Sequence, residues 1–255
     1  MNEARPAPPA EPQAEGGVPP RSTASLQELI NELVAANRIL FKQGVVDAYG
    51  HVSTRHPHNP DTFLISSGRA PGLVSPEHIV ELDLDGREIR GTRQSLYLER
   101  FIHSEIYRAR PDVGAVVHSH SPSVVPFSVV PGASLRPICH MSGFLHAQVP
   151  VFEIRDTAGT GTDLLVSTPL LGQALAQRLG SSSVVLMRGH GSTVIGRTLR
   201  EAVFHAVYTE VNARLQREAL ALGSPVFLTA EEASACVASV SASADRAWSL
   251  WLGQI

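Results

Sequence analysis

Cysteine is nearly missing from this chain, with only Cys139 and Cys236 among 255 residues. So low a count excludes a disulfide framework and makes a reducing cytoplasm the expected compartment. No run of 18 apolar residues occurs, which excludes a helix spanning a membrane. The stretch Met1–Arg21 also lacks the apolar centre of a secretory signal, being built largely of Pro, Glu and Ala. Positive charge is not in excess. A net charge of −3 gives no global field that would draw the chain to nucleic acid or an anionic membrane, so neither is an expected partner. Internal repeats are absent too, which argues against solenoids and propellers. What the chain has in unusual number is histidine, at 11, and their placement carries the argument.

Residues 1–22 hold six prolines and little that is bulky and apolar. Such a segment cannot bury enough surface to offset its ordering entropy, and a disordered tail is expected there. A single domain is expected over residues 23–255. Ser22 or Thr23 is positioned to cap a helix with apolar Leu26, Ile30, Leu33, Val34 and Leu40. "DAYGHVSTRHPHNPDTFLISSG" predicts two strands around a Pro/Asn turn, and "IVELDLDGREIRG" a hairpin tipped by Asp85-Gly86. Helical periodicity runs from Tyr97 to Ala109 and stops before Pro111. "VGAVVHSHSP" predicts a buried strand, "SPSVVPFSVV" a helix or broken helix, and "PVFEIRD" a strand. Thr168–Leu179 predicts a helix stopped by Gly180, and "SSSVVLMRGHGSTVIG" two short strands turning at Gly-His-Gly. A long amphipathic helix is expected over Leu199–Leu222. Helices and strands mix without a regular βαβ rhythm, so the expected class is α/β or α+β with a mostly antiparallel sheet.

His118 and His120 stand two apart at the end of an apolar strand, so alternation puts both imidazoles on one face. His190, between two glycines after another apolar strand, is a candidate third ligand. Three neutral imidazoles with open positions describe a catalytic metal site. The same pattern also suits satisfied core histidines, and the spacing of His190 closes nothing by itself. Glu99 opens the helix that leads into the His118 strand. A helix followed by a turn and a strand folds back on itself, which can bring this carboxylate to the histidines. Equally, it can be an exposed acid favoured by the helix dipole.

In order, the chain carries G-H-V-S-x-R (50–55), S-S-G (66–68), E-R-F-I-H (99–103), Y-R-A-R-P-D-V (107–113), A-V-V-H-S-H-S (115–121) and R-G-H-G (188–191). This combination closely resembles the class II aldolase/adducin family over about residues 24–222. The resemblance implies an α/β/α layered fold around a central, mostly antiparallel sheet. It implies one divalent metal per subunit held by His118, His120 and His190, with Glu99 as acid/base and possible further ligand. It also implies a homotetramer with active sites at subunit interfaces.

Two departures bear on the substrate. Sugar-phosphate aldolases of the family carry Ser-Ser just before the catalytic Glu, where this chain has Tyr97 and Leu98. His51 stands where Asn is usual. Phosphate wants hydrogen-bond donors and positive charge, whereas an aromatic and an aliphatic side chain suit a flat, partly apolar ligand. "GHVSTRHP" and "YLERFIHSEIYRARPDV" are similar to the decarboxylase branch of the family, whose members act on dihydroxyphthalate, hydroxymethylpyridine dicarboxylate or carboxy-muconic semialdehyde. The expected function is therefore metal-dependent decarboxylation of an ortho-hydroxy aromatic dicarboxylate, dihydroxyphthalate-like, with Glu99 protonating an enolate intermediate. Alternatives are a carboxy-muconic semialdehyde decarboxylase and an aldolase of an unphosphorylated hydroxy-keto acid. Mn2+ or Fe2+ is favoured for the metal, with Zn2+ or Co2+ possible. Substrate contacts are expected from His51, Ser67, Gly68, Arg69, Tyr97 and His140, with Arg69 suited to hold a carboxylate. His103, one turn after Glu99, is expected to brace the site or satisfy a buried carbonyl. An assembly module without activity is disfavoured, because the three His and the Glu are all retained.

Overall fold

The computed structural model describes residues 25–91, 93–146, 149–240 and 243–255. The expected N-terminal tail and the caps Ser22 and Thr23 lie outside these residues. Helix α1 (Leu26–Lys42) is capped by Ser25, whose side chain and that of Glu28 form a reciprocal capping box. Eight strands make one sheet: β1 (His51–Arg55), β2 (Thr62–Ser66), β3 (Ile79–Asp83), β4 (Glu88–Arg90), β5 (Ala115–Ser119), β6 (Val151–Phe152), β7 (Val184–Met187) and β8 (Gly191–Gly196). Their order is β4-β3-β2-β1-β5-β8-β7-β6, and β6 alone pairs in parallel, with β7. The sheet is thus mostly antiparallel, as expected.

Strand alternation sorts the core into two halves. Val52, Leu64, Val117, Leu186 and Val194 face one cluster, which the first helix and two later ones cover. Those are α6 (Leu199–Leu222), with the bounds expected from sequence, and α8 (Ser243–Leu252), which buries Trp248 and Trp251. Phe63, Ile65, Val116, Val185, Met187 and Ile195 face the other cluster. Helices α2 (Arg100–Ala109) and α5 (Pro169–Leu179) cover that side and pack on each other. Helices on both faces give the α/β/α layering. Short helices α3 (Val125–Val129) and α4 (Arg155–Ala158) fill connections, and α7 (Ala230–Val240) lies over the segment His140–Leu145.

Two expectations are corrected. The helix expected from Tyr97 begins at Arg100, because Tyr97 is pinned by its hydroxyl to Ser66 and to the Arg69 carbonyl and Glu99 leaves helical geometry at φ −86°, ψ 18°. The strand expected over "PVFEIRD" is only Val151–Phe152, since the chain turns into α4 where Glu153 engages Arg155 and Arg188.

Candidate metal centre

The register sets the site. His118 stands opposite His51 on β1 and Thr193 on β8, and His120 lies just past the end of β5. The tight turn between β7 and β8 delivers His190 to the same corner. Gly189 makes that turn at φ +67°. Gly191 permits the close approach: a Cβ there would meet the Ser119 carbonyl oxygen at 2.0 Å. Glu99 occupies the N-cap of α2 and arrives from below the sheet. It is 7% exposed, so the picture of a solvated acid is set aside.

Four side chains converge. Glu99, His118, His120 and His190 each offer a ligand atom, all within 4.8 Å of one another. His120 Nε2 is 3.3 Å from His118 Nε2 and 2.9 Å from His190 Nε2. Glu99 Oε2 is 3.5 Å from both His118 Nε2 and His190 Nε2. The supporting contacts fix which nitrogens carry hydrogen. His118 Nδ1 donates to the Ser192 carbonyl at 3.1 Å, and His190 Nδ1 to the Leu164 carbonyl at 3.0 Å. Both neutral rings therefore turn an Nε2 lone pair inward. A hydrogen on His120 can serve only one of them, and the other lone pair remains opposed. A cation at the focus satisfies all three nitrogens and the carboxylate, so this donor set fits a divalent metal.

Burial tunes the same groups. Desolvation holds His118 well below the ordinary imidazole range, helped by neighbouring His51 and His190, and lowers His120 likewise. Neutral imidazoles are the ligating form. Desolvation raises the Glu99 carboxyl, against the opposing pull of His190 and of the Val166 N–H. Val166 N–H donates to Glu99 Oε1 at 2.9 Å, which leaves Oε2 facing the histidines. Leu164, two residues earlier, adopts φ +69°. A non-glycine residue in that region stores strain of about 1–3 kcal/mol. Here the strain aims the carbonyl that holds His190.

Of the other expected site residues, two line the corner. His51 is buried, with its ring 5.0 Å from that of His118 and 4.5 Å from that of Tyr97. Its Nδ1 meets His103 Nε2 at 2.6 Å. Leu98 is 62% exposed beside Glu99. Arg69 is exposed, and its charge acts on the carboxylate of Glu77.

Three expected contacts are not found as pictured. Ser67 has spent its donors, the hydroxyl on Gln94 Oε1 and the N–H on the His78 carbonyl. Gly68 N–H is spent on the Ser95 carbonyl. His140 is not brought to the four-residue cluster. It lines a separate cavity of about 490 Å3 with Phe144, Arg197, Phe204 and Cys236, toward the far end of β8. Sequence reasoning also missed Ser53, Tyr107 and the carbonyls and N–H of Leu164, Ser192 and Val166. Only the first two left a signal: Ser53 follows His51 by two on one strand face, and Tyr107 follows His103 by one helical turn.

Comparison with known proteins agrees with the geometry. The family model described as Class II Aldolase and Adducin N-terminal domain matches residues 31–217. The decarboxylase tropJ of Talaromyces stipitatus is 36% identical over 249 residues, covering 89% of this chain and 93% of that protein. The 3,4-dihydroxyphthalate decarboxylase of Arthrobacter keyseri is 31% identical over 206 residues, covering 75% and 78%. Among solved structures, an L-fuculose 1-phosphate aldolase from Glaciozyma antarctica superposes with a TM-score of 0.75 at 24% identity, covering 92% of each chain.

Proposed function

Because this chain belongs to the class II aldolase and adducin family, we propose that it is a metal-dependent decarboxylase of an aromatic acid with a hydroxyl beside a carboxylate, dihydroxyphthalate-like. The observation that carries this reading is the Glu99–His118–His120–His190 cluster, with the ring of His51 beside His118 and that of Tyr97 against His51. Two decarboxylases among the relatives support it.

His118, His120 and His190, with Glu99 beside them, would hold a divalent cation that would supply a Lewis acid to the oxygen next to the departing carboxylate. Glu99 carries the proton. The Val166 N–H fixes Oε1, so Oε2 is the atom turned toward the site to pass a proton to the carbon losing CO2. Tyr97 offers a flat face to a planar ring. Arg69, exposed and bearing a planar guanidinium, is suited to hold the carboxylate that is retained. Mn2+ or Fe2+ is favoured over Zn2+ or Co2+. A cytoplasmic homotetramer with sites at subunit interfaces, acting in aromatic breakdown, completes the proposal.

A panel of hydroxylated phthalates, muconic semialdehydes and sugar phosphates, run with each metal, tests it. The expected result is CO2 release from a hydroxyphthalate without an aldehyde product. Aldehyde formation from a hydroxy-keto acid or a sugar phosphate, with no CO2, overturns it. Sedimentation of the metal-loaded protein checks the tetramer.

A further inference from the structure

Beneath the metal corner, between β1 and α2, lies a chain of polar groups with almost no access to solvent. His51 Nδ1 is 2.6 Å from His103 Nε2, and His103 Nδ1 is 2.6 Å from Ser53 Oγ. Ser53 Oγ is 2.8 Å from the Tyr107 hydroxyl. His103, Ser53 and Tyr107 are all 1% exposed or less. Their neighbours on that face are Phe63, Val116, Ile102 and Ile106. A core chosen for stability alone would continue in that manner, since buried polar groups are tolerated only when fully paired.

The chain has a direction, and Tyr107 sets it. Among the described residues the phenol hydrogen has one acceptor, Ser53 Oγ. Running the chain the other way would make Ser53 donate to Tyr107 and leave a buried phenol hydrogen without a partner, which is costly. Tyr107 therefore donates to Ser53, and Ser53 donates to His103 Nδ1. His103 is neutral, because burial lowers it to about 3. A neutral ring that accepts at Nδ1 carries its hydrogen on Nε2, and that hydrogen goes to His51 Nδ1. His51 in turn must carry its hydrogen on Nε2, the nitrogen not occupied by His103.

We propose that the buried chain Tyr107–Ser53–His103 fixes His51 as its Nε2–H tautomer, so that His51 offers a hydrogen-bond donor to an anionic substrate oxygen and cannot join the metal ligands. His103, Ser53 and Tyr107 are positioning residues, and they act through His51. A protonated nitrogen has no lone pair for a metal, which agrees with the four-residue cluster that omits His51 although its ring lies beside that of His118. The donor role at the substrate rests on the decarboxylase reading, whereas the tautomer does not.

Imidazole 15N NMR of the zinc-loaded full chain tests the assignment, with the signals identified by their loss in His51→Gln and His103→Gln. Protonated Nε2 and bare Nδ1 are expected on both rings. Tyr107→Phe removes the first donor and frees the chain to reverse. The expected result is a shift of His51 toward Nδ1–H and a KM for the acid raised roughly tenfold to a hundredfold, at unchanged metal content. Ser53→Ala is expected to do the same and Ser53→Thr, which keeps the hydroxyl, to preserve the wild-type tautomer and KM. That pair carries the test if Tyr107→Phe fails to fold. An Nδ1–H tautomer of His51 in the wild type overturns the proposal, as does an unchanged tautomer in both hydroxyl-deleting variants. Failure of the wild type to release CO2 from any acid overturns the decarboxylase reading, and is distinguishable because the NMR measurement uses no substrate.

Discussion

Glu99 is held by three different influences: a backbone N–H on one oxygen, two imidazoles near the other, and little solvent. Glu99→Gln keeps the shape and the hydrogen bond to Val166 but cannot deliver a proton. It is expected to retain metal and lose turnover by about a hundredfold to ten-thousandfold, the range for a general acid–base group. Near-normal CO2 release would assign the proton to another residue. His118→Ala, by contrast, is expected to abolish metal binding in a titration. The histidines also make stability depend on pH. Burial depresses His51, His103, His118 and His120 in the folded chain, so the unfolded chain binds more protons below its own imidazole range. Stability is then fully present above about pH 6.5 and is lost as pH falls below it. Urea midpoints of metal-free protein between neutral and mildly acidic pH should fall accordingly. A flat profile would mean that these rings are charged in the folded state. The convergence of Glu99 with the three histidines was expected from the family resemblance, since the spacing of the histidines alone left it open. The carbonyls of Leu164 and Ser192 were not, since every residue has a carbonyl and only the fold aims one.

At the scale of elements, α2 carries Glu99 at its cap and His103 and Tyr107 on its buried face, so its seat on the sheet sets the site. Gly172 on α5 defines that seat. A Cβ there would lie 2.4 Å from the Phe101 carbonyl oxygen, a backbone atom with little room to yield. Gly172→Ala is expected to push the two helices apart, cost about 1–3 kcal/mol and lower turnover with metal still bound. Calorimetry and a CO2 assay on one sample check both. A variant that loses stability at full turnover would show that α2 does not transmit the displacement. Most elements were legible. Thr198 and Gly223 bracket α6, and Thr168 and Gly180 bracket α5, because caps are local chemistry. The start of α2 was not. The periodicity of Tyr97 continues that of the helix, but a hydroxyl bond to the Arg69 carbonyl, 28 residues away, holds it outside.

For the whole molecule, the metal is an expected source of stability. A ligand present at a hundred times its Kd adds about 2.7 kcal/mol when it binds only the folded state. Chelation should therefore lower the Tm, and readdition should restore it. The layered architecture was expected from the family resemblance, whereas alternation and periodicity alone left α/β and α+β both open. What neither showed was how the corner is assembled. The four residues of the cluster come from the cap of α2, the end of β5 and the β7–β8 turn, and the loop at Leu164–Val166 clamps two of them. His120 and His190 are 70 residues apart and meet only after β8 has zipped onto β5. An unfolded chain thus offers the ion little more than the isolated His118–His120 pair. Since most of its binding energy arrives after long-range pairing, the metal should act as a latch and not as a nucleus. Stopped-flow refolding should proceed at nearly the same rate with or without metal, while unfolding in denaturant should slow as metal is added.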